Sequence, residues 1–390
     1  MTARTAEPQA SAGLESLLSS KEIVIACGSG GVGKTTTVAT AAAMAAMHLE
    51  GRVLALTVDP ARRLANALGL QQVGNTETRV APREFVDAGV KARGELWVAM
   101  LDTKASWDEL VRTHAPDRRT ADAILVNPLY RNITAKFVHS HDYIAMERLH
   151  DIHSSGRYDL IVVDTPPTRN AIDFLDAPAR MADFFSSRLL RWLIAPYRSR
   201  LLTAASKPFY SVADRVLGAQ FLQDIADFFI LFQTMYDGFI ERAQAVTRTL
   251  LDDRTSFLVV TTLDPDPVRE AEFFIAELRR RHYHLGGVVF NRVLPAYLRD
   301  RDARAAAERM KDEADEITAA MKIADRDRAA FADVLREIAD SFLGYRALAT
   351  RQAEQLAEFG SSADLTLLVP ALEEGVSSIA DIVELGQRLW

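Results

Sequence analysis

Seven short runs of apolar, mostly β-branched residues punctuate the chain, at 22–28, 52–59, 96–102, 158–165, 256–264, 285–293 and 365–370. Within each run the apolar positions are continuous rather than alternating, the pattern of strands buried on both faces. Helix-like segments separate them, which predicts βαβ units and a mostly parallel sheet flanked by helices, an α/β fold. Two gaps are too long for simple crossovers. Residues 105–157 are helix-rich. Residues 171–250 are helix-rich and unusually apolar, as in FFSSRLLRWLIAPY (184–197) and FLQDIADFFILF (221–232). A third, charged stretch at 299–357 predicts two or three helices. The heptads around Met310, Ile317 and Met321 are too few for a sustained coiled coil. Residues 1–20 read as a flexible lead-in without the apolar centre of a signal peptide, and 21–390 as a single domain.

The first strand runs straight into CGSGGVGKTTT (27–37) and then into an alanine-rich helix former. Gly28, Gly33, Lys34 and Thr35 satisfy the phosphate-binding loop (P-loop) pattern G-x-x-x-x-G-K-[ST]. Its glycines let the backbone of Gly28, Ser29, Gly30, Gly31, Val32 and Gly33 curl round a nucleotide's phosphates, at a helix N-terminus that already favours anions. Lys34 is expected at the β/γ-phosphates, Thr35 as a Mg²⁺ ligand and Thr36 beside it. The runs at 52–59 and 158–165 carry Asp59 and Asp164 at or near their carboxyl ends, the side of a parallel sheet that faces its ligand crevice. One such carboxylate holds Mg²⁺, usually through water, and the other orients the attacking water. Asn291 sits at the end of the 285–293 run, where an amide can pair with both the amine and the ring nitrogen of adenine. A guanine site would want an acid two residues on, and position 293 is Val, so the expected nucleotide is ATP.

Bulk properties narrow the class further. Hydrophobic content of 48% fits a globular chain, and a net charge of −7 argues against a nucleic-acid binder held by a basic field. Cys27 is the one cysteine. It rules out an internal disulfide and fits a cytoplasmic chain, with peripheral contact at the inner membrane as an extension. The apolar segments at 184–195 and 221–233 are broken by Arg188, Arg191, Asp224 and Asp227, so no membrane span is expected. His139, His141, His150 and His153, near Asp142 and Glu147, read as surface or packing residues rather than a metal site.

In order and spacing, GSGGVGKTTT, DPARRLANALG, DTPPTRNAIDFLDAP and VVFNRVLP resemble the arsenite-pump ATPase and tail-anchored-protein targeting ATPase family, with actinobacterial members looking closest. The resemblance covers about 20–390. It implies a P-loop ATPase that closes face to face as an ATP-dependent dimer, with an inserted α-helical subdomain. It also implies a first-switch role for Asp59 in activating water, a second-switch role for Asp164, adenine contact by Asn291, and a loop near the base at 369–379 that includes Pro370.

Three departures matter. The family's loop reads KGGVGKT, and its first lysine crosses the dimer interface to the partner's nucleotide, as an arginine finger does. Here that position is Ser29. Lys21 is at the far end of the strand, roughly 25 Å away at 3.3 Å per residue, which leaves Arg62 and Arg63 as candidate substitutes. A single thiol cannot assemble the thiolate site of arsenite-stimulated members or the zinc-bridging CxxC of the eukaryotic targeting factors. Finally, the DTAPT box reads DTPPT.

The resulting expectation is an ATPase working as a heterodimer with a lysine-bearing paralogue, a homodimer being the other form. Its helical region would take a hydrophobic client helix, with Phe184, Phe185, Leu189, Trp192 and Leu193 forming either a groove or plain core. The alternatives are the catalytic subunit of an anion or metalloid export pump, and a low-turnover switch of the partition or division-site type.

Overall fold

The structure, a computed structural model, describes residues 11–58, 63–70, 74–136, 138–165, 171–187, 227–321, 324–359, 365–372 and 375–390. Eight strands form one sheet: β1 (Ile23–Cys27), β2 (Arg52–Thr57), β3 (Thr78–Arg79), β4 (Glu95–Met100), β5 (Leu160–Asp164), β6 (Thr255–Thr262), β7 (Leu285–Val293) and β8 (Thr366–Pro370). Their order is β3-β4-β2-β5-β1-β6-β7-β8. All neighbours pair in parallel except β3 with β4. The seven apolar runs are the seven parallel strands. β3 was not expected, and its two residues are too few to show a pattern.

The pleat sends successive side chains to opposite faces, and each face builds its own core. Ile23, Ile25, Leu54, Leu56, Ile161, Val163, Phe257 and Val259 point to one side. There they meet the helices Thr103–His114, Val138–Ser154, Ala171–Ser186, Tyr236–Leu251 and Pro265–Arg280. Val24, Ala26, Val53, Ala55, Val162, Leu258 and Val260 point to the other side, onto the helices Lys34–His48 and Ile379–Gln387. Helix Lys34–His48 is buried almost all round, and its alanines let neighbours come close. A Cβ on Gly386 would stand 2.2 Å from Met44 Sδ.

The expected flexible lead-in differs over its second half, residues 1–10 lying outside the described residues. Ser11–Ser20 is a helix, with Leu14, Leu17 and Leu18 buried in the second core. Their spacing of three and four is an amphipathic stripe, masked in the sequence by surrounding serines. The charged stretch does form helices, Arg301–Asp312, Ala314–Ala320 and the 32-residue Arg328–Phe359. The apolar segment is described only in part. Phe228, Phe229, Phe232 and Phe239 there are buried core residues in ring contact with one another. The side chains of Phe184 and Phe185, and Leu189, Trp192 and Leu193 altogether, lie outside the described residues.

Candidate functional site: a phosphate cleft at the carboxyl end of the sheet

The loop after β1 leaves the middle of the sheet, between β5 and β6. Two of its glycines are dictated by geometry. Gly28 has φ 152°, and a Cβ there would lie 2.0 Å from the Val260 carbonyl oxygen. Gly33, the N-cap of helix Lys34–His48, has φ 99°, and its Cβ would meet Asn291 Nδ2 at 2.0 Å. Both positions therefore exclude any side chain. The first intrahelical bond runs from Thr37 N–H to the Gly33 carbonyl at 3.0 Å, so the preceding turn presents its N–H groups and the positive end of the helix dipole to the cleft.

Lys34 is buried and curls back over the loop, its Nζ donating to the Gly28 and Ser29 carbonyls at 2.9 Å each. Strand register fixes Asp164. It pairs with Ala26 on one side and Thr57 on the other, so its carboxylate stands directly before the loop. Asp164 Oδ2 accepts from the Thr35 hydroxyl at 2.7 Å and the Thr57 hydroxyl at 3.0 Å. Thr165 Oγ1 donates to the Ala26 carbonyl at 2.8 Å and ties β5 to β1 at the same level. On the far side of the loop, Asn291 Nδ2 donates to the Val32 carbonyl at 2.8 Å, and Asn291 Oδ1 accepts from Arg292 N–H at 2.9 Å. Pro370 closes β8 opposite Val293, two residues beyond Asn291 in register.

The loop opens onto a cleft of about 350 Å³ lined by Gly31, Gly33, Lys34, Thr35, Thr36, Thr165 and, from the other walls, Arg63, Asn66, Arg292 and Val376, whereas Asp164, Asn291 and Pro370 are not among its lining residues. Its size suits a small-molecule ligand. Two glycine positions with no room for a Cβ, a buried lysine, a threonine hydroxyl and a carboxylate in hydrogen-bond contact form a donor set that fits a nucleotide phosphate and a hard divalent cation. The structure thus brings together the loop residues, Asp164 and Asn291. Asp59 and Arg62 lie outside the described residues. Arg63 is described and reaches the cleft wall.

A family model described as anion-transporting ATPase matches residues 21–325. The chain belongs to that family. As an anion-transporting ATPase homologue of the P-loop class, it is an ATP-hydrolysing enzyme. ATPase BagA of Mycobacterium tuberculosis is 24% identical across 99% of this chain and 96% of its own length. A Mycobacterium bovis protein also named as an ATPase matches to the same extent. An Aquifex aeolicus protein named as an arsenical pump-driving ATPase is 21% identical across 70% of this chain and 63% of its own length.

Several site residues escaped the sequence reading. Thr57 and Thr165 are ordinary strand-end threonines until register sets them beside Asp164. Asn66, Arg292 and Val376 come from three separate segments. Arg292 carried no signal beyond its place next to Asn291; in the fold its φ of 59° is unusual outside glycine. The other weighed cluster has structural roles where it is described. His150 Nδ1 is 2.8 Å from the Thr249 hydroxyl, and His153 Nε2 is 2.6 Å from Glu22. The side chains of His139 and His141 lie outside the described residues.

Ser29 contributes its backbone to the loop and little else. Its carbonyl receives Lys34, while its buried Oγ has no hydrogen-bond partner among the described residues. Lys21 turns to the opposite end of the sheet, where its Nζ donates to the Asp253 carbonyl at 2.6 Å. Cys27 is buried beneath the loop, and burial pushes its thiol up to about 12.

Proposed function

We propose that the chain is a Mg²⁺-dependent ATPase that works as one subunit of a heterodimer with a lysine-bearing paralogue, coupling its nucleotide state to the helical segments of 105–157 and 171–250. Lys34 places its ammonium at the β/γ-phosphates. Thr35 and Asp164 hold the magnesium ion, whose charge offsets that of the phosphates. Asp59 orients the attacking water, or shares the ion through water. Asn291 and Pro370 border the adenine. The apolar density of 171–250 suits a hydrophobic protein segment as client.

The observation that carries the heterodimer reading is Ser29. Every other member of the loop is present, yet this position carries a short, neutral side chain where a second copy would need to offer a cation. A homodimer would lack the crossing charge at both of its sites. In a heterodimer this chain's site receives the paralogue's lysine and becomes the competent one. The buried, protonated Cys27 thiol speaks against the metalloid-pump alternative, because a soft metalloid binds thiolates.

The test is ATP turnover by the chain alone, by the chain mixed with its lysine-bearing paralogue, and by Ser29→Lys. Loss of one charge-stabilising group costs about 10²-fold in turnover. The isolated chain should therefore be slow, and mixing should raise its rate by that order. Ser29→Lys should raise the rate of the isolated chain. Full turnover by the wild-type chain alone, unchanged in Ser29→Lys, sinks the heterodimer reading and leaves the ATPase assignment intact.

A further inference from the structure

The helix Arg328–Phe359 is the longest element described, about 48 Å at 1.5 Å per residue. Its inner face, with Ala332, Ala339 and Ala349 buried, packs on the helices Arg301–Asp312 and Ala314–Ala320. Its outer face is unusual. Val334, Ile338, Tyr345 and Leu348 are each between 47% and 55% exposed. With the exposed Ser341 they recur at spacings of four, three, four and three. That is a heptad seam turned to solvent, and a stripe of this size on a charged helix marks an interaction surface.

The flanking charges select the occupant. Glu337 precedes Ile338 and Arg351 follows Leu348 by three. Both are exposed, and neither forms an ion pair with another described residue. In a parallel pair of this seam, identical positions share each layer, and Glu337 and Arg351 are two heptads apart. In an antiparallel pair, Ile338 of one helix shares a layer with Leu348 of the other. Tyr345 then faces Ser341, within reach of a hydroxyl–hydroxyl bond. Glu337 comes to flank the same layer as Arg351 of the other copy, twice by symmetry. Between Ile338 and Leu348 the seam is therefore self-complementary in side chains and in charge about one two-fold axis, as an isologous contact requires, and Val334 at its end falls opposite Gln352.

We propose that this face is a self-association surface on which a second copy of the chain seats the same helix antiparallel. The contact is short, so it forms a weak dimer whose population depends on chain concentration. It is independent of nucleotide and of the dimerisation through the phosphate loop proposed above.

Sedimentation of the full chain over a concentration series, without nucleotide, tests the surface. The wild type should dimerise. Ile338→Glu with Leu348→Glu should be monomeric while keeping its far-UV circular dichroism and melting temperature. Glu337→Arg and Arg351→Glu should each weaken association roughly tenfold, the order expected when two exposed pairs become repulsive. Combining both reversals in one chain should restore it. Cross-linking reads the direction. A Glu337→Cys chain mixed with an Arg351→Cys chain should form a disulfide that neither forms alone, with the buried Cys27 as a silent background. A wild-type chain monomeric throughout overturns the proposal. So does failure of the double reversal to rescue, or cross-linking between identical positions. If the seam binds only a client peptide and never itself, the second-copy assignment is also wrong.

Discussion

Cys27 stands at the end of β1, where the chain must be both strand and the base of the phosphate loop. Burial raises its thiol to about 12, and the charge of Lys34 only partly opposes that rise. At about pH 8 the native thiol is therefore protonated and enclosed, and thiolate chemistry needs the chain to open. A thiol reagent should leave the native protein unlabelled over hours and label it at once in denaturant, at a native rate that follows global unfolding. Labelling within minutes under native conditions would show instead that the loop opens on its own. The same residue shows how far single positions could be read. Its solitude in the composition excluded a thiolate metalloid site, but its burial needed the fold. The glycines, Lys34 and Thr35 announced themselves because their spacing is the chemistry. Thr57 and Arg292 did not, since a threonine or arginine at a strand end acquires a role only when a neighbouring strand brings a carboxylate or a loop beside it.

At the scale of elements, the parallel strands were legible because burial on both faces writes a continuous apolar run. The helix Ser11–Ser20 and strand Thr78–Arg79 were not, being respectively polar between its buried leucines and only two residues long. The long helix carries an attachment that periodicity could not disclose. Leu294 N–H donates to Gln352 Oε1 at 2.8 Å, and Gln352 Nε2 donates to the Arg292 carbonyl at 3.3 Å. Gln352 thus grips the chain just beyond Asn291, and Arg346, nearly two turns earlier, holds the Leu298 and Asp300 carbonyls. Gln352→Ala should cost about 1–2 kcal/mol of stability by leaving Leu294 N–H without its partner. Its larger effect should be on nucleotide binding. The Arg292 wall and the Asn291 contact with Val32 lose their brace, so the KM for ATP should rise several-fold while kcat falls less. A variant with unaltered KM would mean that the strand end holds its shape without the helix.

The whole molecule is a sheet between two cores, and the two differ in kind. The core behind the phosphate loop is aliphatic and alanine-rich, whereas the core on the helical face encloses charge. There Arg242 Nε donates to Glu147 Oε1 at 2.5 Å, joining helix Tyr236–Leu251 to helix Val138–Ser154, and the guanidinium lies 4.7 Å from the centre of the Phe239 ring. Glu147 is 1% exposed. Burial raises its pKa, with the Arg242 charge and the Tyr143 hydroxyl pulling the other way. A buried pair of this type adds little net stability, but removing one partner strands the other. Glu147→Ala and Arg242→Ala should each lose about 3 kcal/mol in urea unfolding, whereas replacing both by Leu and Met should recover most of the loss. The pH dependence has a definite sign. Because the native pKa lies above that of the unfolded chain, the native state binds the Glu147 proton more tightly. This contribution is fully present below the ordinary carboxylate value of about 4.3 and is lost as pH rises through the raised native value. Glu147→Gln cannot lose that contribution, so its stability relative to wild type should improve as pH rises across this window. A constant difference would mean that Arg242 holds Glu147 ionised throughout, and that the pair is a permanent tie between the two helices rather than a titrating one.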